Sequence, residues 1–379
     1  MPRWLAFLLA ALLAACGGTD NVHPPSPLPD IQTRLGVHKD WAVDTGDGSG
    51  EYFLRLHPYV DDDGRVFVTD HAGQVTAWRL RDGHRLWRVR LEQPVSGGVN
   101  GGDGLVVVGS EEGEVIALSA ADGQPRWRHA VSSQVFAISP VVEGVLVVRS
   151  GDGNIYGLSA ADGRQLWKYS VPEPALSLHT QSVPLVARGV ALIGLDNGHL
   201  LMLALKDGTP LWEKTVAPAR GRTELDRMVD IDGRLALVGD TVYVATFQGK
   251  VAAIDARRGR VQWSRELSSV NGLDVAGDQL FVTDEDSAVW ALDRASGSTL
   301  WKQEALKYRW LTAPVVVEKA VVAADYAGYL HWMDRETGSF LARTRADRAG
   351  VIAAPRRVGG HVLILGRGGQ LSSWRLASD

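Results

Sequence analysis

A chain of 379 residues in which 40 Lys and Arg face 44 Asp and Glu carries a formal charge of −4, with a pI near 6.2, and so offers no basic footprint for nucleic acid. With 45% hydrophobic and 22% charged residues, it is long enough to bury a large core without covalent staples. One cysteine excludes a disulfide framework and any cysteine-based zinc or iron–sulfur site, whereas 42 Gly and 13 Trp call for an explanation in the pattern.

The chain opens with Met1-Pro2-Arg3 and an uncharged run of twelve residues from Trp4 to Ala15. That run is too short to cross a bilayer core of about 30 Å as a helix and reads as a secretory leader over residues 1–15. Cys16 follows Leu13-Ala14-Ala15, an approach that resembles the lipobox of bacterial lipoproteins. The resemblance implies removal of residues 1–15 and thioether lipidation of Cys16. Residue 17 is Gly, not the Asp that marks inner-membrane retention among such lipoproteins, so the implied location is the outer membrane, lipid-anchored and facing the periplasm. Four prolines fall between Pro24 and Pro29, and residues 16–38 are expected to form a lipidated, flexible, extended tether. Residues 39–379 are then the globular part.

From there the sequence repeats. Gly73, Asp82-Gly83 and Trp87 are followed by Gly113, Asp122-Gly123 and Trp127, then by Gly153, Asp162-Gly163 and Trp167, and by Gly198, Asp207-Gly208 and Trp212. Later copies are Gly249, Gly259 and Trp263, then Ser287, Gly297 and Trp301, then Gly328 and Gly338 with Ala342 at the Trp position. An eighth copy is split: Gly369-Gln370-Leu371 supplies its first half and Trp41 its second. The Trp-type positions run from 41 to 342 at a mean step of 43 residues, a period of propellers and solenoids. Alternating apolar positions and β-branched runs such as Val106-Val107-Val108 indicate strands. The expected fold is therefore all-β: an eight-bladed β-propeller of four-stranded antiparallel blades, closed by pairing the N-terminal strand with the C-terminal blade, which leaves no open edge. The glycines supply the positive φ of hairpin turns, and the recurring tryptophans are expected to cover seams between blades rather than to form one ligand platform.

The Asp-Gly-x-x-x-Trp repeat resembles that of the pyrroloquinoline-quinone dehydrogenase propellers. That resemblance would imply a vicinal disulfide over the quinone and a calcium site of carboxylate and amide ligands. The sole cysteine is Cys16, so no cofactor is expected. Asp61-Asp62-Asp63-Gly64 and Asp44-Thr45-Gly46-Asp47-Gly48 lack the later Glu of a calcium loop and read as tight turns. The ten histidines show no metal-binding spacing, and Gly46-Asp47-Gly48-Ser49-Gly50 precedes no helix, against a hydrolase elbow.

Residues 49–58 (SGEYFLRLHP), 174–182 (PALSLHTQS), 223–232 (TELDRMVDID) and 328–333 (GYLHWM), together with the lipobox, resemble the lipoprotein family that assists the outer-membrane β-barrel assembly machinery. The likeness runs from Cys16 to Arg375. It implies a non-catalytic scaffold that binds the periplasmic polypeptide-transport-associated domains of BamA and aids the folding and insertion of outer-membrane proteins. Whether the chain also touches unfolded outer-membrane proteins itself, by adding a strand to a blade edge, stays open. So do the alternatives of a quinone-dehydrogenase-like propeller and a glycan-binding periplasmic propeller. By the same resemblance the partner surface falls on Leu176, Leu178 and His179 and on Asp230 and Asp232, with Arg227 beside them. His179 stands where the family has Arg, which replaces a full charge by a group mostly neutral near pH 7. Both stretches lie where the repeat is longest: Trp167 to Trp212 is 45 residues and Trp212 to Trp263 is 51. Extra loop length on one face is where binding usually resides.

Overall fold

The computed structural model describes residues 23–377 apart from Glu173, Ala175, Ser177 and residues 179–181. The leader, Cys16 and His179 lie outside the described residues. Strands alternate with short hairpins to give eight four-stranded sheets, in each of which neighbouring strands pair antiparallel. We letter the strands of a blade A to D from the innermost outward. Blade 1 runs from Tyr59–Val60 to Arg85–Arg90, and its first full hairpin joins Arg65–Thr69 to Gln74–Arg79. Innermost strands of successive blades contact one another, as Tyr59–Val60 does Val95–Gly102 and Val315–Val317 does Arg356–Val358. The ring is thus built around an axis lined by the A strands.

Closure follows the split repeat. In blade 8 the D strand is Val37–Asp44, paired antiparallel with the C strand Gln370–Leu376 from Val37 opposite Leu376 to Asp44 opposite Gln370. The pairing covers the edge of that C strand and ties the first strand of the fold to the last. Asp40 reinforces it, accepting from Arg375 Nε at 2.7 Å and lying 3.0 Å from His361 Nδ1.

Each B and C strand is buried on both faces, as in Val66, Phe67 and Val68 of blade 1, and alternate residues pack toward the blade on either side. Outer D strands alternate instead, with burial switching residue by residue along Arg260–Glu266. The tryptophans close the seams. Trp41, Trp87, Trp127, Trp167, Trp212, Trp263 and Trp301 each donate the indole N–H to a backbone carbonyl of the next blade, at 2.7 to 3.0 Å. Each ring also lies against the glycine of the next blade's C-to-D turn, Trp87 on Gly123 and Trp127 on Gly163 among them. The aspartate of those turns accepts a backbone N–H two residues on, as Asp82 does from His84 at 3.0 Å. Blade 8 takes its D strand from the N-terminal side and has no such turn, and blade 7 correspondingly carries Ala342, buried with Leu35, Trp332 and Trp374.

The segment before the first strand is extended but docked. Ser26 N–H bonds the Lys307 carbonyl at 3.0 Å, Arg343 reaches the Pro29 carbonyl at 2.9 Å and Arg34 N–H the Leu341 carbonyl at 2.8 Å, while His23 stacks on Tyr308. From residue 23 onward the expected tether therefore lies along the outside of blades 6 and 7 instead of hanging free.

Candidate functional site

Antiparallel order places the D-to-A connections and the B-to-C hairpins at one end of every blade, and this face gathers the residues singled out in the sequence. The connection from blade 3 to blade 4 carries Leu176 and Leu178, and the one from blade 4 to blade 5 carries Arg227, Asp230 and Asp232. The two come together: the backbone N–H of Leu178 donates to Asp230 Oδ2, a contact across 52 residues of sequence. Leu176 is exposed and Leu178 half-buried.

The second connection is anchored by its apolar residues. Met228, Val229 and Ile231 are buried, and Ile231 N–H bonds the Leu195 carbonyl at 3.1 Å. Before them, Thr223 and Asp226 bond reciprocally in a tight turn, which pushes Leu225 out to 62% exposure. Arg227 is exposed too, with only a loose pair to Glu224 at 3.7 Å within its own loop.

The acidic pair is placed differently from a surface-facing pair. Asp230 is 0% and Asp232 4% exposed, because the residues flanking them dive into the core. Asp230 orders the Leu178 loop. Asp232 points its carboxylate inward, where neither oxygen has a hydrogen bond among the described residues. Burial, with Asp230 and Asp196 adding their negative charge, pushes its carboxyl well above the ordinary range against the opposing pull of Arg55 and Arg149. As placed here, Asp230 holds the Leu178 loop and both carboxylates are buried.

Around the axis on this same side is a cavity of about 300 Å³. Every blade contributes to its wall: Arg55, Asn100, Phe136, Leu185, Asp232, Asn271, Ala313 and Arg356 come one from each. His57 also lines it, and its pKa falls to about 4 through burial and through Arg356, Arg55 and Arg234, leaving the imidazole neutral at pH 7. These axial residues escape a reading of the sequence because they come from different repeats. The available signal is a charged residue at the entry to an A strand, visible at Arg234 and Arg356 once the blades are aligned. Aromatic side chains crowd another sector of the face, where Phe53, Trp310 and Tyr326 are exposed and in edge or tilted contact at 5.8 and 6.0 Å. Asp61, read as a turn residue, accepts from the backbone N–H groups of Asp63 and Arg65 at 3.1 and 2.9 Å.

Fold and repeat define a propeller of the quinone-dehydrogenase repeat class in which long connections on one face carry the distinguishing residues. The family model described as outer membrane protein assembly factor BamB matches residues 71–303. A relative of that name from Pseudomonas aeruginosa is 41% identical over 99% of this chain and 100% of its own length. Among solved structures, BamB from Moraxella catarrhalis superposes with a TM-score of 0.83 at 26% identity, covering 90% of this chain and all of that one. The quinohemoprotein alcohol dehydrogenase from Comamonas testosteroni reaches a TM-score of 0.70 at 15% identity, over 89% of this chain and 76% of its own, a likeness of fold alone. The chain belongs to the BamB family of outer membrane protein assembly factors.

Proposed function

We propose that the face carrying Leu176, Leu178 and Arg227 is the surface through which this propeller docks onto the periplasmic polypeptide-transport-associated domains of BamA, with His179 in the same loop, Asp230 setting the loop conformation and Asp232 buried in the same connection as Asp230. The protein is a non-enzymatic accessory factor of outer-membrane protein assembly, in keeping with its family. The observation that carries the docking surface is the Leu178–Asp230 contact, which joins two long connections into one unit that holds apolar Leu176 out in solvent. An exposed leucine near a tethered backbone is an anchor whose burial by a partner is favourable. Lipidation at Cys16 would hold this unit at the outer membrane on the periplasmic side, within reach of a membrane-embedded partner. Direct contact with unfolded outer-membrane proteins is a further part of the proposal. The outer D strand forms the outward edge of each blade, and an added substrate strand would pair there. Titration of the purified protein with the BamA periplasmic domains tests the docking surface: saturable one-to-one binding is expected, and its absence would refute the assignment.

A further inference from the structure

We propose that the axial cavity is a binding site for a small organic anion, a carboxylate or phosphate head on an apolar body about the size of one or two aromatic rings. The walls and the charges argue for this together. Phe136, Ile138, Leu185 and Ile352 give the cavity an apolar lining, and its volume of about 300 Å³ stands at the lower end for small-molecule sites. Three arginines from three blades line this space: Arg55, half-buried, and Arg234 and Arg356, both exposed to solvent.

The charges of Arg234 and Arg356 are poorly offset. Arg234 has Asp274 only at 4.0 Å, and the Arg356 guanidinium makes no hydrogen bond or ion pair among the described residues. Desolvation and the neighbouring Arg234 both work against the charge on Arg356. Arg55 is held by the Val270 carbonyl at 3.1 Å and has Asp232 as its acidic neighbour. Like charges gathered on one lining repel, a repulsion that solvent tempers where Arg234 and Arg356 are exposed, and an entering anion relieves it while accepting charge-assisted hydrogen bonds. The remaining polar groups suit the same ligand. Neutral His57, whose N–H is turned to the Ala354 carbonyl, brings no negative charge, and Asp232, whose carboxylate oxygens have no hydrogen bond among the described residues, supplies an O–H donor when protonated. Neither opposes a negative head as an ionised acid would. The site depends on the isolated propeller alone, so its test involves no partner protein.

The experiment is calorimetric titration of the purified protein in detergent with 2-naphthoate and, separately, with its neutral isostere 2-naphthamide. One site for naphthoate is expected, with the amide at least roughly tenfold weaker, because the charge-assisted bonds are lost. Arg356→Gln should weaken naphthoate by about tenfold, and adding Arg234→Gln should weaken it further, with unfolding midpoints near that of the wild type. Arg88→Gln, on the exposed outer strand of blade 1, should leave binding unchanged and so separates a local from a general charge effect. Equal affinity for acid and amide would overturn the proposal. So would naphthoate binding that survives both arginine changes in a folded protein, or that falls as far with Arg88→Gln.

Discussion

The indole of Trp41, in the strand that the N-terminal side lends to blade 8, lies so close to Gly83 of blade 1 that a Cβ on that glycine would fall 2.8 Å from the ring. The repeat is therefore a lock between blades. Gly83, at φ 68°, serves its own hairpin and also clears room for its neighbour's tryptophan, whose N–H reaches the Leu80 carbonyl at 2.7 Å.

Gly83→Ala is expected to destabilise the protein by about 2 to 4 kcal/mol, combining the left-handed backbone strain with overpacking against Trp41. Gly64→Ala has a similar φ of 72° but open space around its Cβ, so it should lose only the backbone part, about 1 to 2 kcal/mol. Chemical denaturation of the two variants checks this, and equal losses would mean that the ring contact adds nothing.

Deleting residues 37–44 removes the D strand of blade 8 and the seam Trp41 makes with blade 1, and it bares the edge of Gln370–Leu376. Unfolding should become broader and begin at lower temperature, with aggregation through the new edge. A thermal scan and light scattering read both effects, and an unchanged transition would show that closure contributes little.

The sequence carried the fold because each repeat states its turns with Gly and Asp and its seams with Trp; even Ser287, which replaces a glycine, adopts φ 68°. It also located the two long connections that meet at Leu178 and Asp230. Orientation was not legible. Asp-x-Asp on a loop reads as surface charge, and only the burial of Val229 and Ile231 on the same segment turns both carboxylates inward. The axial cluster was hidden for a different reason: Arg55, Arg234 and Arg356 are up to 301 positions apart, and ring closure alone makes them neighbours.

The lipidation proposed for Cys16 makes its own prediction. Cys16→Ser removes the acceptor thiol, so an unprocessed precursor or a soluble periplasmic species is expected, read by fractionation and mass spectrometry. Fully processed variant retained in outer-membrane fractions after a salt wash would refute the anchor.

Asp232 predicts a pH dependence. Its carboxyl is raised in the folded state, so between the ordinary aspartate pKa and that raised value the folded chain binds more protons than the unfolded one. Stability from this group is accordingly present at low pH and lost as pH rises through the window. Asp232→Asn, which mimics the protonated form, should raise the denaturation midpoint at pH 7 and converge with the wild type as pH approaches the ordinary aspartate value of 3.8. A constant difference across pH would mean that folding leaves the Asp232 pKa at its unfolded value.

The docking surface separates anchors from supports. Leu176 is 42% exposed, so Leu176→Ala should weaken binding to the BamA periplasmic domains by about 1 to 3 kcal/mol, the range of a central interface residue, with the unfolding midpoint unmoved. Leu178 is half-buried and should lose both affinity and some stability when truncated. Asp230 acts through Leu178. Asp230→Ala removes the acceptor of the Leu178 N–H, so affinity should fall through a freed loop, and faster hydrogen exchange at residues 174–178 should accompany the loss, a readout that a direct charge contact would not move. If a carboxylate of the partner faces residue 179, His179→Arg should tighten binding and make it more sensitive to salt. Full affinity in Leu176→Ala and Asp230→Ala together would place the partner elsewhere on the propeller, with the exposed Phe53, Trp310 and Tyr326 sector the next to examine.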